Sequence, residues 1–168
     1  MRRSTRLAIA AIPVVVALAL LAPVVLAGPD GTASVRFGND DVGSPFPPIT
    51  GHDESGNGKF NLIPRTVTIA AGGNVTYDIF LRFGIHQPAV YGPGATPDDI
   101  EIQGPFPFVN DPDGRLALGT LVGPPAPGTA ATGTWTTPAL NQPGRYLVLC
   151  NFAPHFAEFD MYGWVNVK

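Results

Sequence analysis

The stretch YLVLCNFAPHFAEFDMYGWVNVK, Tyr146–Lys168, decides how the chain is read. It holds the single cysteine, Cys150. Four residues separate Cys150 from His155, and five separate His155 from Met161. Strand-like runs flank the three, Arg145–Cys150 before and Met161–Val167 after. Period-two alternation puts Tyr146, Val148 and Cys150 on one face of the first run. It puts Met161, Gly163, Val165 and Val167 on one face of the second. With Val148, Val165 and Val167 facing a core, Cys150 and Met161 point inward at the same end of adjoining strands. His155 sits on the connecting loop, its approach stiffened by Pro154. A thiolate, an imidazole and a thioether make a soft, mixed donor set, and copper is the metal it suits best.

A fourth donor has to come from elsewhere. The remaining histidines are His52 and His86. His52 lies in the polar run GHDESGNG and reads as a surface residue. His86 lies beside Gly84 in the apolar run IHQPAVY, just after the clearest strand of the chain. A lone buried histidine is more often a hydrogen-bonded core residue than a ligand. A site already short of one imidazole reverses that preference here. Two imidazoles, one thiolate and a weak axial thioether are the ligands of a blue-copper electron-transfer site. Zinc matches less well, because its sites use Cys, His or carboxylate and not Met.

Upstream, alternation dominates and no helix-period pattern is sustained. Ala33–Phe37 reads as a short strand with Val35 and Phe37 on one face. Asp40–Asn57 is polar, Gly/Pro-punctuated loop. Phe60–Ile63 and Thr66–Ala70 read as one strand broken at Pro64, with Val67 and Ile69 inward. Ala71–Asn74 is a turn. Asn74–Phe83 then alternates Val75, Tyr77, Ile79, Leu81 and Phe83 against Thr76, Asp78, Phe80 and Arg82. Pro88 marks Ile85–Tyr91 as an edge or irregular strand. Residues 92–130 are Gly/Pro-rich, and a stretch that long implies hidden structure or a role such as a lid or docking surface. Within it Asp98–Ile102 reads as a helical turn or strand, and Gly114–Val122 as a strand. Thr132–Thr137 is another strand. The total is seven to eight short strands without a clear helix, an all-β Greek-key sandwich or barrel with a long insert.

The N-terminus carries Arg2, Arg3 and Arg6, then an apolar run of 21 residues, Leu7–Ala27, ending on small residues. It reads as an export signal over 1–27, with an uncleaved membrane anchor as the alternative. The remaining 28–168 is most simply one domain with its own core. Seven of the 10 basic residues and all 13 acidic ones fall there, a charge of −6. No basic face is evident for phosphates, so nucleic acid is not an expected partner. A single cysteine rules out an internal disulfide and any four-cysteine metal site within one chain.

The chain resembles the cupredoxins, the small type 1 copper proteins that include plastocyanin, azurin and amicyanin. The resemblance covers Thr66–Tyr91 and Gly144–Lys168. It is carried by the glycine-turn strand Ala71–Phe83, by His86 beyond it, and by PGRYLVLC, then His155, then MYGWVNV. It implies a Greek-key β-sandwich with one type 1 copper ion held by His86, Cys150, His155 and Met161. It also implies single-electron transfer between redox partner proteins by Cu(I)/Cu(II) cycling and no enzymatic activity; with the export signal, the expectation is a periplasmic or extracellular monomer, membrane-anchored if 7–27 is not cleaved. The five-residue gap before Met161 is longer than is usual in the family, and bears on Met161 alone. The 92–130 insert has no assigned counterpart. Phe152, Phe156 and Phe159 surround His155 in sequence, and Gln87 and Asn151 are candidate hydrogen-bonders beside the ligands.

Three other readings share these residues. Copper delivery or sequestration would use the same donors. A thiol enzyme would pair Cys150 with His155. A metal-free sandwich would use Cys150 to bridge two chains. Copper oxidases and binuclear copper sites need more histidines or a second cysteine than the chain contains.

Overall fold

The computed structural model describes residues 25–26, 31–38, 62–81, 84–103 and 107–168. His52, the loop Asp40–Asn57, Arg82, Phe83 and most of the N-terminal apolar run lie outside them. Among the described residues the strands are β1 Val25–Leu26, β2 Thr32–Phe37, β3 Leu62–Ile63, β4 Thr66–Ile69, β5 Asn74–Leu81, β6 Pro88–Pro93, β7 Arg115–Leu118, β8 Ala131–Thr136, β9 Gly144–Cys150 and β10 Tyr162–Val167. They form two sheets, ordered β1-β4-β10-β9-β6-β7 and β3-β2-β5-β8. The expected sandwich is present, and the strand count exceeds seven to eight because β1 and β3 are only two residues long.

The alternation read from the sequence becomes the core. Val35, Phe37, Val75, Tyr77 and Ile79 of the second sheet meet Val67, Ile69, Val90, Tyr146, Val148, Val165 and Val167 of the first. Cys150 and Met161 lie at one end of this same layer. Each large apolar side chain there contributes roughly 1.5–3 kcal/mol by leaving water.

Three expectations are corrected. Leu62–Ile63 and Thr66–Ile69 are not one broken strand: β3 pairs with β2 in the second sheet, and β4 pairs with β10 in the first. Pro64 has no N–H to continue a ladder, so the chain changes sheets there. The corner is tight. The Arg65 carbonyl accepts from the Trp164 N–H at 2.8 Å, and a Cβ at Gly163 would lie 2.5 Å from that carbonyl oxygen. Second, Ile85–Tyr91 is not at an edge. β6 lies between β9 and β7, and Pro88 is tolerated because it is the strand's first residue. Third, a one-turn helix, α1 Ala153–Ala157, occupies what reads as loop.

The 92–130 segment supplies β7, a short 3-10 turn at Pro97–Asp99, and a second layer of core. Ala95, Ile100 and Val109 pack with Ala89, Tyr91, Leu147 and Leu149 on the outer face of the first sheet, together with Ala153 and Phe156. β9 is therefore buried on both faces, which explains the unbroken apolar run YLVLC. Leu149→Ala is expected to cost about 2–5 kcal/mol, read as a lower urea midpoint with an unchanged slope.

Candidate metal centre

Four segments deliver the candidate donors to one end of the sandwich. Cys150 is the last residue of β9, where the ladder ends and the chain turns into α1. α1 carries His155 on its inner side, with Pro154 at its first turn, where a missing N–H costs nothing. Met161 directly precedes β10. His86 precedes β6 and is pinned across from Val122 by paired backbone hydrogen bonds of 2.9 and 2.8 Å. That anchor comes from the insert, so the insert holds the His86 loop as well as covering the sheet.

His86, Cys150 and His155, three of the four residues singled out in the sequence, come together at this end. Sγ of Cys150 lies 3.6 Å from His86 Nδ1 and 3.7 Å from His155 Nδ1, and the two nitrogens are 3.0 Å apart. All three residues are buried, at 0, 1 and 4% exposure for Cys150, His86 and His155. Met161 is fully buried in the same cluster as Cys150. Its carbonyl accepts from the Cys150 N–H at 3.0 Å, and its N–H donates to the His155 carbonyl at 2.9 Å. The long gap before it is taken up by α1 and by Asp160, which turns the chain back with φ of 50°. Asp adopts this left-handed conformation more readily than most residues.

Burial sets the charges. It lowers the His86 pKa to about 3, with the nearby His155 adding to the effect, and lowers that of His155 to about 4. Both rings are neutral at pH 7, the protonation state in which an imidazole can serve as a metal ligand. Burial pushes the Cys150 thiol up to about 12, while the backbone N–H groups of Gln87 and Phe152 pull the other way by bonding to the sulfur. The metal-free thiol thus keeps its proton, and a bound cation has to displace it. Two neutral imidazoles and a sulfur converging within hydrogen-bonding range, with two N–H groups turned toward the sulfur, fit one type 1 copper ion.

The supporting shell differs in part from expectation. Gln87 and Asn151 bond to each other at 2.9 Å, and Gln87 Nε2 reaches the Gly119 carbonyl at 3.0 Å. They tie the His86 loop to the end of β9. Phe152 and Phe159 flank the His155 ring at centroid distances of 4.7 and 6.4 Å. Phe156 belongs to the outer layer of core instead. Two contributors had no ligand-like signal in the sequence. Arg65 donates to the carbonyls of Tyr162 and Asp160, both at 3.0 Å, bracing the turn that returns Met161. Gly38 has φ of 74°, and a Cβ there would lie 2.5 Å from His86 Cδ2 and 2.9 Å from the Phe80 carbonyl. Gly38→Ala is expected to displace His86 and weaken copper binding by roughly 10–100-fold, the usual cost of disturbing a ligand's support. Competition with a calibrated chelator checks it.

No protein-family model matches the chain, and no curated protein matches it. Solved structures do match. Reduced auracyanin from the photosynthetic bacterium Roseiflexus castenholzii superposes with a TM-score of 0.50 at 18% identity, covering 84% of this chain and 99% of its own. Reduced rusticyanin does so with a TM-score of 0.50 at 20% identity, covering 85% and 83%. A rusticyanin variant structure gives 0.50 at 23% identity, covering 86% and 82%. The chain has the cupredoxin fold. In this cupredoxin fold the His-Cys-His cluster lies where the last β9–β10 connection meets the His86 loop.

Proposed function

We propose that the chain is an exported, single-domain carrier of one electron, whose His86, Cys150, His155 and Met161 would hold one copper ion. The observation that carries this is the Nδ1, Nδ1, Sγ triangle with edges of 3.0, 3.6 and 3.7 Å, buried inside a cupredoxin fold. Bound copper supplies the Cu(I)/Cu(II) couple. The chain's residues do the rest. β9 and the paired backbone bonds at His86 fix two donors on the sandwich, so neither has to move when the charge changes. The N–H groups of Gln87 and Phe152 stabilise negative charge on Sγ. Phe152 and Phe159 keep the His155 ring among apolar neighbours, and that ring, on a loop helix and not a strand, is the exit toward a redox partner protein.

The near-complete burial of the donors supports a carrier over a copper-delivery protein, since exchange with chelators needs ligands within reach. Among the described residues no helix is long and apolar enough to cross a membrane. The N-terminal basic and apolar pattern supports export. The test is to load the protein with Cu(II) and record visible and EPR spectra. An intense thiolate-to-Cu(II) band and slow loss of copper to chelators are expected. A colourless protein that yields its copper quickly would speak for delivery or sequestration.

A further inference from the structure

Four rings form a continuous chain from the metal centre to the flank of the sandwich. His86 meets Phe37 edge-on, with centroids 5.8 Å apart and planes at 86°. Phe37 meets Tyr77 edge-on at 5.8 Å and 89°. Tyr77 stacks on Trp135 at 5.9 Å and 24°. Each distance falls within the range of about 4.5–7 Å that direct ring contacts occupy. Phe37 and Tyr77 are buried, and the other large residues of that layer are mainly aliphatic. Trp135 is only partly buried. It lies on β8, an edge strand of the second sheet, with its indole against Gly119. The chain of rings therefore leaves the site through the sandwich, away from the His155 end.

We propose that His86, Phe37, Tyr77 and Trp135 form a second electron route, by which the copper centre re-reduces an oxidised Trp135 and protects the protein from one-electron oxidants. This rests on the copper reading above. Indole is among the side chains most easily oxidised, and Trp135 is partly exposed on an edge strand. Tunnelling is faster through touching π-systems than across gaps between aliphatic side chains. A one-electron oxidant, such as a photogenerated Ru(III) polypyridyl complex, takes one electron from the Trp135 indole, which sheds its N–H proton to water. One electron then passes from Cu(I), leaving Cu(II), across the three inner rings to the indole. The indole takes it together with a proton from water and is restored. In sum, one electron moves from Cu(I) to the oxidant, and Phe37 and Tyr77 end unchanged. Trp164, the only other tryptophan, carries the Arg145 guanidinium 3.7 Å over its ring, which makes its electron harder to remove.

The test uses flash photolysis of the Cu(I)-loaded full chain with Trp164→Phe, so that Trp135 is its single indole. The expected result is that the indole radical absorbance decays in step with growth of the thiolate-to-Cu(II) band. In Tyr77→Leu this coupled phase slows by an order of magnitude or more. In Trp135→Leu, a change on an edge strand at a partly buried position packed against the core, it disappears. In metal-free protein the radical persists. Tyr77→Leu matching the parent rate, or a coupled phase surviving in Trp135→Leu, overturns the route while leaving the copper reading intact. A protein that shows no blue band after direct Cu(II) loading overturns both.

Discussion

Cys150→Ser is expected to abolish the visible thiolate-to-Cu(II) band of the copper-loaded protein. The band needs a sulfur bound to copper, and the chain has no second cysteine to replace it. A serine hydroxyl does not give up its proton to a divalent cation at neutral pH as a thiol does. Disturbing a ligand's support costs roughly 10–100-fold in affinity. Removing the ligand itself is expected to cost more than the upper end of that range. The fold should survive, because serine fits the space and can accept from the Gln87 and Phe152 N–H groups that now meet the sulfur. The measurements are a visible spectrum, a copper titration against a chelator, and far-UV circular dichroism as the control. A blue band in the serine variant with native dichroism would remove Cys150 from the site. Met161→Leu should behave differently. It keeps Cys150 and both imidazoles, so colour persists, and loss of the thioether is expected to show as a raised reduction potential. Loss of colour in that variant would make Met161 essential to the site and not a weak ligand.

The contrast between Cys150 and Met161 follows what the sequence could carry. Strand parity is strictly local, so the inward direction of Cys150 and Met161 was legible from residues two apart. The chemistry of a lone cysteine near a histidine was legible too, because few metals suit it. His86 was found by elimination among three histidines, and the fold places its Nδ1 3.0 Å from that of His155. Less legible was whatever depends on residues far apart in the chain. Pro88 signals an edge strand only if nothing pairs beyond it, yet β7, out of the irregular 92–130 segment, pairs on that side. The turn of helix at His155 is too short for a period to register, and its partners come from residues 107–109 and β9. Gly38 is more than forty residues from His86 in sequence, and only the close approach of backbone and ring shows why a side chain there does not fit. The role of the insert was legible as a necessity, since a stretch of that length needs one. Its actual use, burying the outer face of β9 and anchoring His86 through Val122, is a tertiary fact.

Acidification of the metal-free protein from pH 7 toward pH 4 is expected to destabilise it steeply. In the unfolded chain His86 and His155 titrate near 6.5. In the folded chain burial holds His86 at about 3 and His155 at about 4. Between these limits the unfolded state binds protons that the folded state refuses, so unfolding takes protons up and stability falls as pH falls. Each histidine contributes about 1.4 kcal/mol per pH unit inside its window. Together they approach about 2.7 kcal/mol per unit between pH 4 and 6, against a total stability of about 5–15 kcal/mol for a typical domain. Cys150 acts on the other side. Its thiol is pushed up to about 12, so above the ordinary value of 9.0 the unfolded chain releases a proton that the folded one keeps, and stability falls again. The metal-free protein should be most stable between these two windows. Urea unfolding at half-unit steps of pH measures the slope. His155→Asn should roughly halve the acid slope, because one of the two histidine windows is gone. A slope unchanged by that substitution would place the acid sensitivity in the carboxylates and not in the site. The same burial that makes protons costly here keeps both imidazoles neutral, so acid lability without metal and readiness to bind a soft cation have one physical cause.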